Sequence, residues 1–457
     1  MPHEQRRWVF FLAGLGAVYA LLVLPLAFFR HDDWWILGNS VRHLPGDWGF
    51  LFRPTLFHSG REITWFFRPG FKFLVYLFYQ AFGFHYALWM GTLGVLYLGT
   101  VYLGAATVLR LTGQARNGLW FVVAAGCSVA IHFGSLVWMG EGMMNVPQAF
   151  LLMVCTYAFV LGKQSAAWRA ASVAAFVLAL AFKESTVFHF AVLAAMVIAE
   201  PWFQKPRGLR KFYPLIPFAC VSAVYLVFRL GVLPITPSYM PEYTWAKVTR
   251  SIAIGTAPIF LPLALWVVLL RFTERKTFQK YLIGLGSRIY YMPFLAVSLA
   301  IYAGHDFFSP GWYLVFGTFT VFCFALAPMP AIKARRVWQF GAALFVFSVV
   351  PLAVRLDSVG WWGWKKAQVA AFEAISHAAP DTTDLWVRDC RPEMDSATDF
   401  ARIVANDEGL RQMWFLTHGT DVHVTTLYCT SPAPQPRGPR MEFVWVFPET
   451  QRSIASR

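Results

Sequence analysis

Charge is scarce in this chain of 457 residues: only 14% are Asp, Glu, Lys or Arg, against roughly 25% in soluble domains. That deficit excludes a water-soluble globular protein. Acids are scarcer than bases, 24 against 39, for a net charge of +15. In a soluble domain such an excess points to nucleic acid. Here the bases sit largely in loops between apolar runs, so they read as topology and contact with anionic lipid. Cysteine is sparse too, with 6 residues. Cys127, Cys155, Cys220 and Cys323 lie in apolar runs and read as packing residues. Cys390 and Cys429 lie in the polar tail, as a disulfide if exported or as free thiols. The first apolar run, Trp8 to Phe29, lacks a small-residue cleavage site, so it reads as a retained span and not a signal peptide.

What is present is apolar: 57% of residues are hydrophobic, in runs near the 20 residues that cross a bilayer. Eleven spans are expected, near 8–29, 86–109, 118–134, 143–162, 168–182, 186–203, 212–234, 249–271, 281–303, 311–329 and 337–356. The basic clusters then fall on one side. They are Arg6 and Arg7; Arg110 and Arg116; Lys163 and Arg169; Lys205, Arg207, Arg210 and Lys211; Arg271, Arg275, Lys276 and Lys280; and Lys333, Arg335 and Arg336. The positive-inside rule makes that side, and the N-terminus, cytoplasmic. Phe71 to Phe84 is apolar and helical in pattern but short for a span, and counting it as one would reverse every later cluster. It reads as an interfacial helix. The expected fold is therefore an all-α polytopic membrane protein with a small C-terminal α/β extracytoplasmic module. Residues 1–356 form the transmembrane domain, with a first outer loop over 30–85, and residues 357–457 form the module. In that tail, Lys365–His377 and Ala397–Trp414 read as helices, and Leu385–Val387, Val422–Val424 and Phe443–Val446 as strands.

Asp32-Asp33-Trp34-Trp35 follows the first span and emerges at the outer interface. Ionisable groups beside hydrocarbon are expensive and mark function. A carboxylate there can take a proton from a hydroxyl nucleophile, and nearby arginine or lysine can hold a phosphate leaving group. One of the two acids also suits a helix N-cap. Arg68 and Lys72, one helical turn apart, face a phosphate together or snorkel; Pro69 suits the first turn of that helix. Lys183-Glu184 joins two spans with almost no loop, as a site pair or a self-neutralising ion pair. Arg229 lies in the outer third of its span. Glu141, and His305 beside Asp306, lie in short outer loops. Trp34 serves sugar stacking or the aromatic belt. His31-Asp32 and His305-Asp306 supply two metal ligands at a time, short of a site.

The segments Asp32-Asp33-Trp-Trp-Ile-Leu-Gly-Asn39, Phe67-Arg68-Pro69, Phe82-Gly-Phe-His-Tyr86 and Phe182-Lys183-Glu184-Ser-Thr186, in that order, resemble the GT-C superfamily of polytopic glycosyltransferases. The likeness is nearest to the polyprenyl-phosphate-sugar-dependent O-mannosyltransferases and covers roughly the first 230 residues; the tail lacks their tetratricopeptide repeats. The resemblance implies an inverting transferase. The outer compartment is a bacterial periplasm or the endoplasmic reticulum lumen; the compact length and simple tail favour the bacterial inner membrane, with the C-terminal module periplasmic. Asp33, or Asp32 as second choice, would be the general base. Arg68, Lys183 and Arg229 would hold the polyprenyl phosphate. The partners would be a polyprenyl-phosphate sugar and a glycan, lipid or protein acceptor, with no nucleotide sugar and no divalent metal in the chemistry. The competing readings are a flippase of lipid-linked glycans and a surface-polysaccharide polymerase or ligase. A transporter places polar groups near the midplane, often in repeated halves; here they gather at one face with no internal repeat, which favours the enzyme.

Overall fold

The computed structural model describes residues 3–26, 28–29, 32–54, 56–58, 61–63, 67–127, 136, 138–203, 208–232, 244–246, 249, 264, 267–268, 271–272, 275–286, 288–289, 339, 342, 361–389, 407–428 and 438–445. In chain order the main elements are α1 (His3–Val18), α2 (Asp32–His43), β1 (Leu56–His58), β2 (Arg61–Ile63), α3 (Pro69–Phe82), α4 (Tyr86–Thr112), α5 (Ala115–Cys127) and α6 (Met139–Leu161). They continue with α7 (Ala166–Leu180), α8 (His189–Ala199), α9 (Ile216–Gly231), α10 (Arg275–Gly286), α11 (Trp361–Ser376), β3 (Asp384–Asp389), α12 (Asp407–His418), β4 (His423–Tyr428) and β5 (Arg440–Trp445). The chain forms two compact units: Met1–Leu22, Gly91–Leu136 and Glu141–Leu352 make one, and Val23–Met90, Val137–Gly140 and Ala353–Arg457 the other.

The first unit is built of apolar helices. Among the described residues, Tyr86–Thr112, Met139–Leu161 and Gly208–Gly231 are long and apolar enough to cross a membrane; Ala166–Leu180 and Glu184–Ala199 are shorter apolar helices. The expected second and fourth to seventh spans therefore coincide with helices; the third is helical to Cys127, and its remainder, 128–134, lies outside the described residues. The first runs through α1 into a π-helical turn, Tyr19–Val23. The last four expected spans fall mostly outside the described residues. α6 begins at Met139, four residues before the expected start at 143, because Gly140, Glu141 and Gly142 mask its first turn in a hydropathy reading. The basic stretch expected as a loop near 275–280 is helical in α10. Small residues let helices approach closely in an apolar environment: Gly118 faces the Trp8 ring and Gly104 the Phe121 ring, leaving no room for a Cβ at either place. Buried Glu200 accepts two hydrogen bonds of 2.9 Å from the Arg288 guanidinium, a bidentate pair of the stronger kind.

The second unit packs α2 and α3 together with the C-terminal elements. Pro69 opens α3, where its missing N–H costs nothing, and Gly83, at φ 52°, closes it with its N–H on Tyr79 O at 2.8 Å. β3 pairs in parallel with β4 on one side and β5 on the other. A parallel strand is covered on both faces, and Leu385, Trp386 and Val387 are all buried. α12 is four residues longer at its C-terminal end than expected; residues 397–406 lie outside the described set.

Candidate functional site

Asp32 and Asp33 open α2, the helix that follows the first span. Asp33 is fully buried and accepts a 2.7 Å hydrogen bond at Oδ1 from the backbone N–H of Gly140, in the first turn of α6. It thus binds an orphan donor at the positive end of another helix, an arrangement that favours a carboxylate. A Cβ at Gly140 would lie 3.1 Å from both Asp33 Oδ1 and Ile36 Cδ1, so a larger residue there would have to push these side chains back by a few tenths of an ångström. Met139 N–H donates to Tyr86 Oη at 3.1 Å, fixing the same turn. The side chain of Asp32 is outside the described set.

Arg68, the residue before α3, is buried. Lys72, one turn on, is fully buried, but its Nζ donates to the carbonyls of Phe50 (3.0 Å) and Arg53 (2.8 Å) and lies 4.3 Å from the Phe50 ring centroid. Lys72 therefore ties down the 3-10 turn Trp48–Phe52. Burial, with the Arg53 charge second, pulls its pKa down to about 7. His43 stacks on Phe50 at 4.4 Å, and burial first, then Arg53, lowers its pKa. Trp34 is fully buried, stacked on Phe372 with centroids 5.5 Å apart and 16° between planes, and ringed by Phe28, Phe29 and Phe84. That cluster accounts for its burial.

In the other unit, α6 carries a polar stripe at Glu141, Asn145 and Gln148, the spacing that keeps side chains on one helix face. Lys183 Nζ donates to Asn145 Oδ1 at 2.6 Å, and Asn145 Nδ2 donates to Glu141 Oε2 at 2.8 Å. Lys183 and Asn145 are 2% and 3% exposed, and Glu141 only 9%. Gln148 Nε2 extends the network to Ser185 Oγ (3.0 Å) and Thr186 Oγ1 (2.8 Å). An amide is thus interposed between a buried ammonium and a buried carboxylate, each charge compensated as a low-dielectric setting demands. Glu184, half-buried, starts the 3-10 turn that precedes α8. Arg229, also half-buried, is in the last turn of α9, where its charge complements the helix dipole. His305 and Asp306 lie outside the described residues. Among those described, no group of three metal-ligating side chains converges.

Asn145 and Gln148 were missed in the sequence, though polar residues at i+4 and i+7 from Glu141 in an apolar run are a readable signal. Gly140 as donor to Asp33 had no such signal, because it depends on two segments 107 positions apart.

These features define a class of fold, a polytopic helical membrane protein whose first loop and tail pack as one unit. Solved structures with this fold include the crystal structure of ArnT from Cupriavidus metallidurans in the apo state, at 11% identity and TM-score 0.53, covering 92% of this chain and 86% of that one. The structure of ArnT from Cupriavidus metallidurans bound to undecaprenyl phosphate aligns at 12% identity and TM-score 0.51, covering 91% and 89%. No protein-family model and no curated protein matches the sequence. At such identities the likeness is one of fold.

Proposed function

We propose that this chain is an inverting glycosyltransferase that moves a sugar from a polyprenyl-phosphate donor to an acceptor hydroxyl at the outer face of the bacterial inner membrane. The observation that carries the reading is the ArnT-like fold over about nine-tenths of the chain, shared with a protein crystallised with undecaprenyl phosphate. The order of the Asp32-Asp33, Arg68 and Lys183-Glu184 motifs, which resembles that of GT-C transferases, supports it independently.

In this proposal Asp33 is the general base, with Asp32 as the alternative. The acceptor oxygen attacks the anomeric carbon and its proton passes to the carboxylate. The bond from that carbon to the phosphate oxygen breaks, and polyprenyl phosphate leaves with the electron pair. Inversion follows from a single displacement. Arg68, Lys183 and Arg229 are assigned to the phosphate, whose developing charge charged donors stabilise most strongly. Glu141 supports Lys183 through Asn145. Lys72 and Trp34 act by holding the first loop, and Glu184 and His305 remain candidates for the sugar. The reaction requires no divalent metal, so transfer should persist in EDTA.

The test is sugar transfer from a radiolabelled polyprenyl-phosphate sugar pool in membranes, comparing the native chain with Asp33→Asn and Asp32→Asn. Asparagine keeps an oxygen to accept the Gly140 N–H, so Asp33→Asn removes basicity and spares that contact. A loss of about a hundredfold or more is expected. Native rates in both variants would refute the mechanism; a native chain that uses no such pool would favour the flippase.

A further inference from the structure

Residues from the C-terminal segment grip α2 near both ends. At its start, Trp34 stacks on Phe372 of α11. Phe372 also meets Phe28 at 5.7 Å and Phe84 at 4.9 Å, and Lys365 Nζ donates to Pro25 O. At the far end, Arg42 Nε donates to Gln412 Oε1 of α12 at 2.8 Å. The same guanidinium donates from both terminal nitrogens to the Asp421 carboxylate, the Nη1 bond being 3.2 Å. Its Cζ sits 3.8 Å from the Phe415 ring centroid. One arginine thus makes a forked ion pair, an amide bond and a cation–π contact, a combination lysine cannot reproduce. Between the ends, a Cβ on Gly38 would fall 2.7 Å from Gln412 Cβ. The two helices meet so closely that only glycine fits.

These contacts share one consequence. α2 is short, and Asp33 lies in its first turn, one residue from the stacked Trp34. A helix held at both ends can neither rotate nor slide, and rotation is what would swing Asp33 off the Gly140 N–H. We propose that the C-terminal segment is a positioning element for Asp33, acting through Phe372 at the head of α2 and through Gln412, Phe415 and Asp421 on Arg42 at its tail. The inference rests on the transferase reading for its catalytic consequence, but its structural half stands by itself. Arg42, Phe372 and Gln412 are positioning residues and touch no reacting atom.

The experiment uses the full chain in lipid nanodiscs with two readouts. The first is hydrogen exchange at the Gly140 amide, which reports the Asp33 bond directly. The second is the transfer rate with undecaprenyl phosphate carrying a labelled sugar, resolved into kcat and donor KM. Arg42→Met is expected to speed Gly140 exchange about tenfold and to lower kcat by about tenfold or more, with donor KM unchanged within about twofold, since small misplacement of a reacting group is enough for such losses. Arg42→Lys should restore part of both, and Asp421→Asn should show the weakest effect. Phe372→Ala should act like Arg42→Met, with Phe372→Tyr near native. Exchange at α4 and α7 amides controls for general unfolding; if Arg42→Met loosens those too, the graded pair Arg42→Lys and Asp421→Asn decides. Native Gly140 exchange in all variants overturns the proposal, and so does faster exchange with native kcat. Should the native chain transfer no sugar, the transferase reading fails while Gly140 exchange still decides whether the segment positions Asp33.

Discussion

Lys72 and Lys183 are both buried, and both lie beside motifs that resemble a transferase, yet they are satisfied in different ways. Lys72 donates to two backbone carbonyls, Phe50 O and Arg53 O, and the Arg53 charge acts against its own. Lys183 donates to the Asn145 side chain, which in turn binds Glu141. Burial first, and then the Arg53 charge, disfavours the charged form of Lys72. A carboxylate two hydrogen bonds away supports that of Lys183. The first arrangement fastens a loop. The second links a buried cation to a buried carboxylate through one amide. Burial of a lysine is therefore no guide to function until its acceptors are named.

Removing the Lys183 cation should have the largest effect. Lys183→Met should reduce sugar transfer about a hundredfold, as expected for loss of a charged donor to a leaving group, measured as initial rate in membranes with matched protein levels. A rate within threefold of native would make Lys183 a structural residue like Lys72. Next in size is Asn145→Leu, which leaves a buried ammonium and a buried carboxylate without their bridge. Loss of about 1–3 kcal/mol in stability is expected, with a fall in transfer of about tenfold, read by thermal unfolding in detergent and by rate.

Much of this was legible beforehand. The apolar runs gave the helices, because a bilayer-length run leaves few alternatives. Pro69 gave the start of α3, and the β-rich triplets of the tail gave its strands. The place of Asp33 just after the first span marks it as a candidate. Its partner has no such mark, since Gly140 is a backbone donor whose role depends on tertiary approach. Trp34 and Lys72 show the opposite difficulty. A belt tryptophan or phosphate-binding lysine and a buried packing residue look alike in sequence, because the contacts of Trp34 with Phe372 and of Lys72 with two carbonyls depend on tertiary approach.

Lys72 offers a smaller test through pH. Its folded-state pKa is near 7, well below the lysine range of an unfolded chain, about 10.4. Between those limits the unfolded chain binds more protons, so stability should rise as pH climbs from about 7 towards 10. Lys72→Met should flatten that rise, measured by denaturation midpoints across the range. Smallest of all is Asp421, whose carboxyl the Arg42 hydrogen bond holds below the usual range. Its contribution is present above the unfolded carboxylate pKa and fades as pH falls through the folded value. The side chain is 65% exposed, so Asp421→Asn should shift stability by no more than about 1 kcal/mol, and chiefly at low salt.

The pairing of Arg42 with Gln412 spans 370 positions, and it has a consequence for biosynthesis. A ribosome that has just inserted the first apolar run has made Asp33 but none of the groups that fasten its helix. At about 5–20 residues per second, Gln412 follows roughly 20 to 70 seconds later. β3 waits as well, since both its neighbours, β4 and β5, are translated after it. A chain terminated before Gln412 would carry the early apolar helices and the acidic residue but leave α2 unfastened, so the proposed chemistry would be withheld until Gln412 and Asp421 have been made.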